Sequence, residues 1–313
     1  MSNALPVELR NHSGAVRLAF DAFGERENPP IMLIMGLGAQ RFFWEDGFCK
    51  MLAEQGFWVI RFDNRDVGES TVLADRLPPN LLQLAASGLF DAAVSTPYSL
   101  KDMADDVVSL MAQLGITKAH IVGASMGGMI AQLLAIHHPQ NVLSLTSIMS
   151  STGNKNLYKP DKMVLLKLLK PMSKKREKCI ESGVEFWRSL HGHFYTFDLL
   201  RTESLVRRAY EIGVSTDGVL RQFAAILTAK DRTSGLNRLS VPTLVIHGED
   251  DPLLPVSNGH ATASAIDNAI LKIHAGMGHT LPIELWRSIV SDIANMAHRA
   301  DLSEDCERLR AAV

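Results

Sequence analysis

The chain has 313 residues, enough for one large α/β unit carrying an insertion. With 46% hydrophobic residues, 21% charged residues and a formal net charge of -2, it lacks a strong field for nucleic acid or an acidic membrane, so its partners are expected to be small and not polyanionic. Three cysteines, Cys49, Cys179 and Cys306, lie far apart and make no CxxC or Cys/His metal spacing, which leaves a disulfide framework or a zinc site without support.

The opening MSNALPVELRNHSG has no apolar core behind a basic start, and no run reaches the roughly 18 apolar residues of a membrane span. A cytoplasmic protein with reduced thiols, no nucleic acid partner and no stable membrane insertion is the expectation.

In chain order, Gly14 to Gly24 reads as an antiparallel edge strand, followed by the buried-strand candidates Ile31 to Met35 and Phe57 to Phe62. Leu77 to Pro97 departs from the pattern; it could pack beside the site entrance or simply cover the core. A helix is predicted over Ser99 to Leu114, with Ser99 as N-cap, Asp102 three residues on and Gly115 as the stop. The strands Ala119 to Gly123 and Val142 to Met149 come next.

From Ser150 onward there is no convincing strand until Pro242 to Gly248. The interval carries helix-like segments, among them Asp161 to Lys170, ended by Pro171, and Glu203 to Gly213. Ala269 to Ala275 is the last strand, and a long helix follows. Strand runs alternating with helical periodicity predict an α/β fold, a mostly parallel sheet with helices on both faces. Residues 1–149 and 237–313 are assigned to this core, and 150–236 to a helical cap inserted into it. No repeat, low-complexity tract or polar linker divides the chain further.

Within His120 to Gln140, Gly123-Ala-Ser-Met-Gly127 matches G-x-S-x-G with a strand before it and a helix after it, the context that gives this short pattern its meaning. Glycines on both sides fit a turn so sharp that a Cβ would clash, leaving the Ser125 hydroxyl at the C-terminal edge of the sheet, where open α/β sheets place ligands. The bland alternative is a serine in a helix-capping turn.

A serine hydroxyl needs a base to take its proton, and the base needs a third group to hold its tautomer. Downstream, three acids, Glu249, Asp250 and Asp251, follow one predicted strand, and His279 follows the next. A tetrahedral intermediate would also need N–H donors: one from Met126, after the serine, and one from the loop after Ile31 to Met35.

These motifs resemble the α/β-hydrolase fold from about Ala15 to Met296. The resemblance implies that Asp251, directly before Pro252-Leu-Leu-Pro255, is the triad acid, with Asp250 and Glu249 as alternatives, and that His279 in GMGHTLP is the base. It implies Leu37 as the second oxyanion donor, with Gly36 and Gly38 letting the backbone turn inward. Met35 departs from the common pattern, in which a histidine precedes the glycine; a polar brace is lost but the main-chain donor is not. Together, LIMGLGAQ and VIRFDNRDVGEST are similar to the subgroup that contains aclacinomycin methylesterases and related bacterial esterases.

The implied activity is a serine esterase of small, fairly hydrophobic carboxylic esters acting through an acyl-enzyme, without cofactor or metal. The same triad could instead serve a lactonase, a carbon-carbon bond hydrolase, an iminopeptidase or an acyltransferase, and the fold also hosts non-catalytic ligand-binding proteins. Phe42, Phe43, Trp44 and Met129 are candidate substrate contacts, although the aromatic trio could equally anchor the next helix in the core. Asp63, Arg65 and Asp66, in RFDNRDVGES, are read as a hydrogen-bonded structural turn, because buried charges survive mainly when paired. The lysine-flanked apolar stripe Lys162 to Met172 could cover the site, form a homodimer contact or touch lipid.

Overall fold

In the computed structural model, which describes residues 7–11, 14–80, 83–84, 94–157, 160–168, 173 and 175–311, the apolar runs assemble into one seven-stranded sheet beside a small ribbon. The ribbon pairs β1 (Val7–Asn11) with β2 (Gly14–Leu18) in antiparallel register. The sheet holds β3 (Phe20–Phe23), β4 (Pro30–Ile34), β5 (Trp58–Phe62), β6 (Ala119–Ala124), β7 (Val142–Ile148), β8 (Thr243–Gly248) and β9 (Ile270–His274), in the order β3-β5-β4-β6-β7-β8-β9. Only β3 runs antiparallel to its neighbour.

The single edge strand predicted over Gly14 to Gly24 is in fact two strands that belong to different sheets. The break falls at Ala19, whose N–H donates to Ser70 Oγ at 3.0 Å and whose carbonyl accepts from the Asp63 N–H at 2.9 Å. Those bonds remove Ala19 from either ladder.

The helices are α1 (Asp46–Ala53), α2 (Leu100–Leu114) and α3 (Met126–His137), then α4 (Lys162–Leu168), α5 (Arg176–Leu190), α6 (Leu199–Ile212), α7 (Thr216–Thr228) and the short α8 (Thr233–Leu236), and finally α9 (Ser257–Ser264) and α10 (Ile283–Ala311). α2 starts as expected: the Asp102 N–H donates to Ser99 Oγ and the Ser99 N–H to the Asp102 carboxylate, a reciprocal cap, and Gly115 closes the helix at φ 76°. Between β7 and β8 the described residues form helices and no strand. Of the 77–97 excursion, residues 81–82 and 85–93 lie outside the described residues, as do Lys170, Pro171 and Met172.

Alternation along each strand sends side chains to two apolar layers. Met32, Ile34, Ile60 and Ile121 pack with α2 and α3 on one face; Ile31, Leu33, Val59 and Val122 pack with α1 and α10 on the other. Burial on both faces is why these strands read as continuous apolar runs. Chain direction across the sheet reverses at β4: β5 lies on one side of it and β6 on the other. The loops leaving β4 and β6 therefore face one another across the switch point where open α/β sheets form their crevice.

Candidate active site

Ser125 occupies the turn between β6 and α3 with φ 55° and ψ −121°, a left-handed conformation that L residues avoid. Neighbouring glycines make the turn possible, since a Cβ on Gly123 would overlap the Gly127 carbonyl and one on Gly127 would overlap the Ile34 carbonyl. The strained residue is pinned through its own backbone: its N–H donates to Ile148 O at 2.9 Å, and its carbonyl accepts from Ser150 Oγ at 2.8 Å. Its hydroxyl makes no capping bond to α3, so the capping-turn alternative does not describe this serine.

The hydroxyl meets an imidazole instead. Ser125 Oγ lies 2.9 Å from His279 Nε2, and His279 Nδ1 lies 2.7 Å from Asp251 Oδ2. Asp251 follows β8 and His279 follows β9, so adjacent parallel strands deliver both to the same sheet edge. His279 is 6% exposed and is tied through its N–H to Leu190 O at the end of α5, at 2.6 Å.

Among the three candidate acids, Glu249 and Asp250 are exposed, while Asp251 is buried. Asp251 Oδ1 accepts the N–H groups of Leu253 (2.9 Å) and Leu254 (2.8 Å). Its other oxygen faces His279, with His247 Nε2 at 3.4 Å. Burial pushes the carboxyl pKa up, but the combined pull of His279 and His247 outweighs it and holds the group down at about 2. An ionised Asp251 is an acceptor only, so the His279 Nδ1 that faces it is the donor of that bond, and Nε2 is the ring nitrogen turned to the serine.

Beside the serine, the loop leaving β4 brings Gly36 and Leu37 into the same cavity wall. Met126 is the first residue of α3, and its N–H has no intrahelical acceptor by helix geometry. Among the described residues, neither the Leu37 nor the Met126 N–H meets a protein acceptor. The Met35 carbonyl is held by Asn64 Nδ2 at 2.9 Å.

The cavity opens between the sheet edge and α5 and α6. Phe43 and Trp44 line it, Phe43 stacked on Trp187 with ring centroids 4.7 Å apart. Trp44 is also a core anchor, fully buried against Phe48.

Phe42 and Met129, expected beside the substrate, are not in the cavity wall. The Phe42 ring is taken up by Phe43 on one side and the Arg208 guanidinium, 4.2 Å from its centroid. Met129 lies one turn into α3, where helical periodicity directs it to the apolar layer beneath α2.

The wall's polar residues include several that the sequence did not point to. Arg201 on α6 forks onto both carboxylate oxygens of Glu45 and lies over the Trp286 ring at 4.9 Å. His191 is buried in the wall with Nδ1 2.9 Å from Thr280 Oγ1, and burial pushes its pKa down. Only Glu45 had a sequence signal, its position directly after the aromatic trio.

The turn after β5 holds its charges in closed pairs. Asp63 binds Arg41 Nη1 at 2.5 Å, Arg65 Nε meets Asp106 at 2.6 Å, and Asp66 takes Arg221 through two bonds of 2.7 and 2.8 Å. Among the described residues no group of three or more His, Cys, Asp or Glu side chains is placed to hold a metal ion.

A family model described as alpha/beta hydrolase fold matches residues 29–284. Rhodomycin D methylesterase DauP of Streptomyces sp. (strain C5) is 27% identical over 300 residues, covering 89% of this chain and 94% of the relative. Among solved structures, a thermophilic esterase from Thermogutta terrifontis superposes with a TM-score of 0.70 at 23% identity, covering 95% of this chain and 99% of that one. A meta-cleavage product hydrolase from Pseudomonas fluorescens IP01 also gives 0.70 at 20% identity, over 94% and 98% of the two chains. At such identities the two structures speak for the fold alone.

Proposed function

This chain belongs to the alpha/beta hydrolase fold family, and from that premise we propose that it hydrolyses carboxylic esters of small, fairly hydrophobic molecules through Ser125, His279 and Asp251. The observation that carries the reading is the continuous relay from Ser125 Oγ through His279 to a buried, ionised Asp251. Its likeness to a methylesterase over most of both chains supports an ester as substrate.

In this reading the Ser125 proton passes to His279 Nε2 as Oγ bonds to the ester carbonyl carbon, and negative charge moves onto the carbonyl oxygen. The Leu37 and Met126 N–H groups donate to that oxyanion. His279 then gives its proton to the alcohol oxygen as the carbon–oxygen bond breaks, leaving an acyl-serine. Water repeats the cycle: His279 takes one of its protons, the hydroxyl bonds to the acyl carbon, and the proton returns to Ser125 as the acid leaves. Asp251 stabilises the imidazolium in both halves without itself being protonated.

Residues 150–236 serve as the cap over this site, with 1–149 and 237–313 as the core. Aromatic and aliphatic walls suit an apolar acyl or alcohol group, and because Glu45 and Arg201 neutralise one another the cavity favours an uncharged substrate. Cytoplasmic placement accords with the free thiols of Cys49 and Cys179.

A p-nitrophenyl ester panel of graded chain length, run on wild type and Ser125→Ala with intact-protein mass spectrometry after a fluorophosphonate, tests the assignment. Turnover is expected to fall by at least about 10⁴-fold in the variant, and the adduct to vanish with it. Unchanged turnover in Ser125→Ala removes the assignment, and labelling of a wild type that turns over no ester favours a ligand-binding protein.

A further inference from the structure

The loop that carries Leu37 has an apolar residue, Met35, just before its first glycine, yet its far end is held by a side chain from the helices between β7 and β8. Gln222, on α7, is fully buried. Its Oε1 accepts the Gly38 N–H at 2.9 Å, and its Nε2 donates to Arg65 O at 2.8 Å, so both ends of the amide are engaged and its orientation is set.

Gly38 sits at φ 65°, and a Cβ there would come within 2.8 Å of Val219 Cγ2 on the same helix. Gly218, Arg221 and Gln222 follow i, i+3, i+4 spacing and so share one face of α7. That face is anchored: Arg221 clamps Asp66, and a Cβ at Gly218 would meet Asp66 Cβ at 2.8 Å. A second tie runs the other way, because Gln40 Nε2 donates to the carbonyls of Ala209 (3.0 Å) and Gly213 (2.9 Å) at the end of α6.

We propose that Gln222 is the positioning residue of the oxyanion loop: by accepting the Gly38 N–H it fixes the left-handed turn that aims the preceding N–H of Leu37 at the developing oxyanion, and so makes catalysis depend on how α7 is seated. This rests on the ester-hydrolase reading above. Gln222 touches no reacting atom. Its loss should therefore weaken the transition state and leave substrate binding intact, whereas a merely structural residue would lower stability or both affinities together.

The test uses Gln222→Met, which keeps length and burial but makes neither bond, and Gln222→Glu, which keeps the acceptor for Gly38. Each is assayed for kcat and KM on a p-nitrophenyl ester, for inhibition by a trifluoromethyl ketone whose hemiketal oxyanion occupies the hole, and for binding of the isosteric ether, which has no oxyanion. Ile293→Ala, a core truncation in α10, controls for stability. In Gln222→Met, kcat and ketone affinity are expected to fall together by about 10- to 100-fold, with KM and ether binding within about twofold. Gln222→Glu should retain most of both, and Ile293→Ala should lower the melting temperature with the ketone-to-ether ratio unchanged.

Equal loss of ketone and ether affinity, or no loss of either, in Gln222→Met overturns the proposal. If that variant does not fold, Gln222→Glu decides: retained ketone affinity supports the proposal, and selective loss of it overturns it. A wild type that neither turns over the ester nor binds the ketone fails the hydrolase reading instead, independently of Gln222.

Discussion

Asp251 and Asp66 are both buried carboxylates just past the ends of sheet strands, β8 and β5, and both are held ionised, yet the geometry gives them different work. Asp66 is closed on all sides: Arg221 takes both oxygens, Tyr98 Oη donates at 2.7 Å and the Leu73 N–H at 2.8 Å. Burial pushes its pKa up, and the bonds from Arg221 and Tyr98 more than reverse that. None of these donors gives up its proton near neutral pH. Asp251 has as its partner an imidazole whose second nitrogen faces a hydroxyl in a cavity. A perturbed, buried acid is therefore not a catalytic signature on its own; the lability of the proton on its partner makes the difference.

That contrast sets its own tests. Asp251→Asn should lower kcat by about 10⁴-fold while the protein stays folded, because an amide no longer selects the productive tautomer of His279. Steady-state kinetics beside a thermal melt measure both, and a loss under tenfold would show that Asp251 is no more than a structural acid.

Asp66→Asn should do the reverse. With the buried Arg221 charge left uncompensated, stability should drop by about 3–5 kcal/mol in urea unfolding. Turnover per folded molecule should stay within about tenfold, equivalent to about 1.4 kcal/mol in the barrier. Catalytic collapse without loss of stability would reverse the assignment of the two acids.

The smallest effect concerns pH. The Asp251 pKa of about 2 in the folded state lies below the ordinary carboxylate value of 3.8, so its contribution is complete above pH 4 and is lost as pH falls toward 2. A shift of this size corresponds to about 2 kcal/mol. Urea midpoints between pH 5 and 2 should therefore fall less steeply for Asp251→Asn than for wild type, and parallel curves would contradict the depressed pKa.

Much of the candidate site was legible because its parts are local events at strand ends. A glycine-flanked serine after one apolar run, acids after another and a histidine after the last need only parallel strands to converge, and the observed sheet supplies them. The wall was less legible. Phe42 and Met129 have the right chemistry and chain position, but which way a side chain points depends on the neighbours that claim it, here Arg208 and the layer under α2. Arg201 and Gln222 lie on helices between β7 and β8, where periodicity shows which face is apolar but not what the face meets.

The buried strands, the serine turn and the chain order of serine, acid and histidine follow from backbone sterics and two-sided burial, which short stretches of amino acids specify for themselves. The burial that sets Asp251 apart from its exposed neighbours, the seating of Arg201 on Glu45, and the bond from Gly38 to Gln222, 184 residues away, came only with the packed fold. Such contacts join surfaces whose approach no local pattern encodes, because loop closure over that distance is decided by the whole core at once.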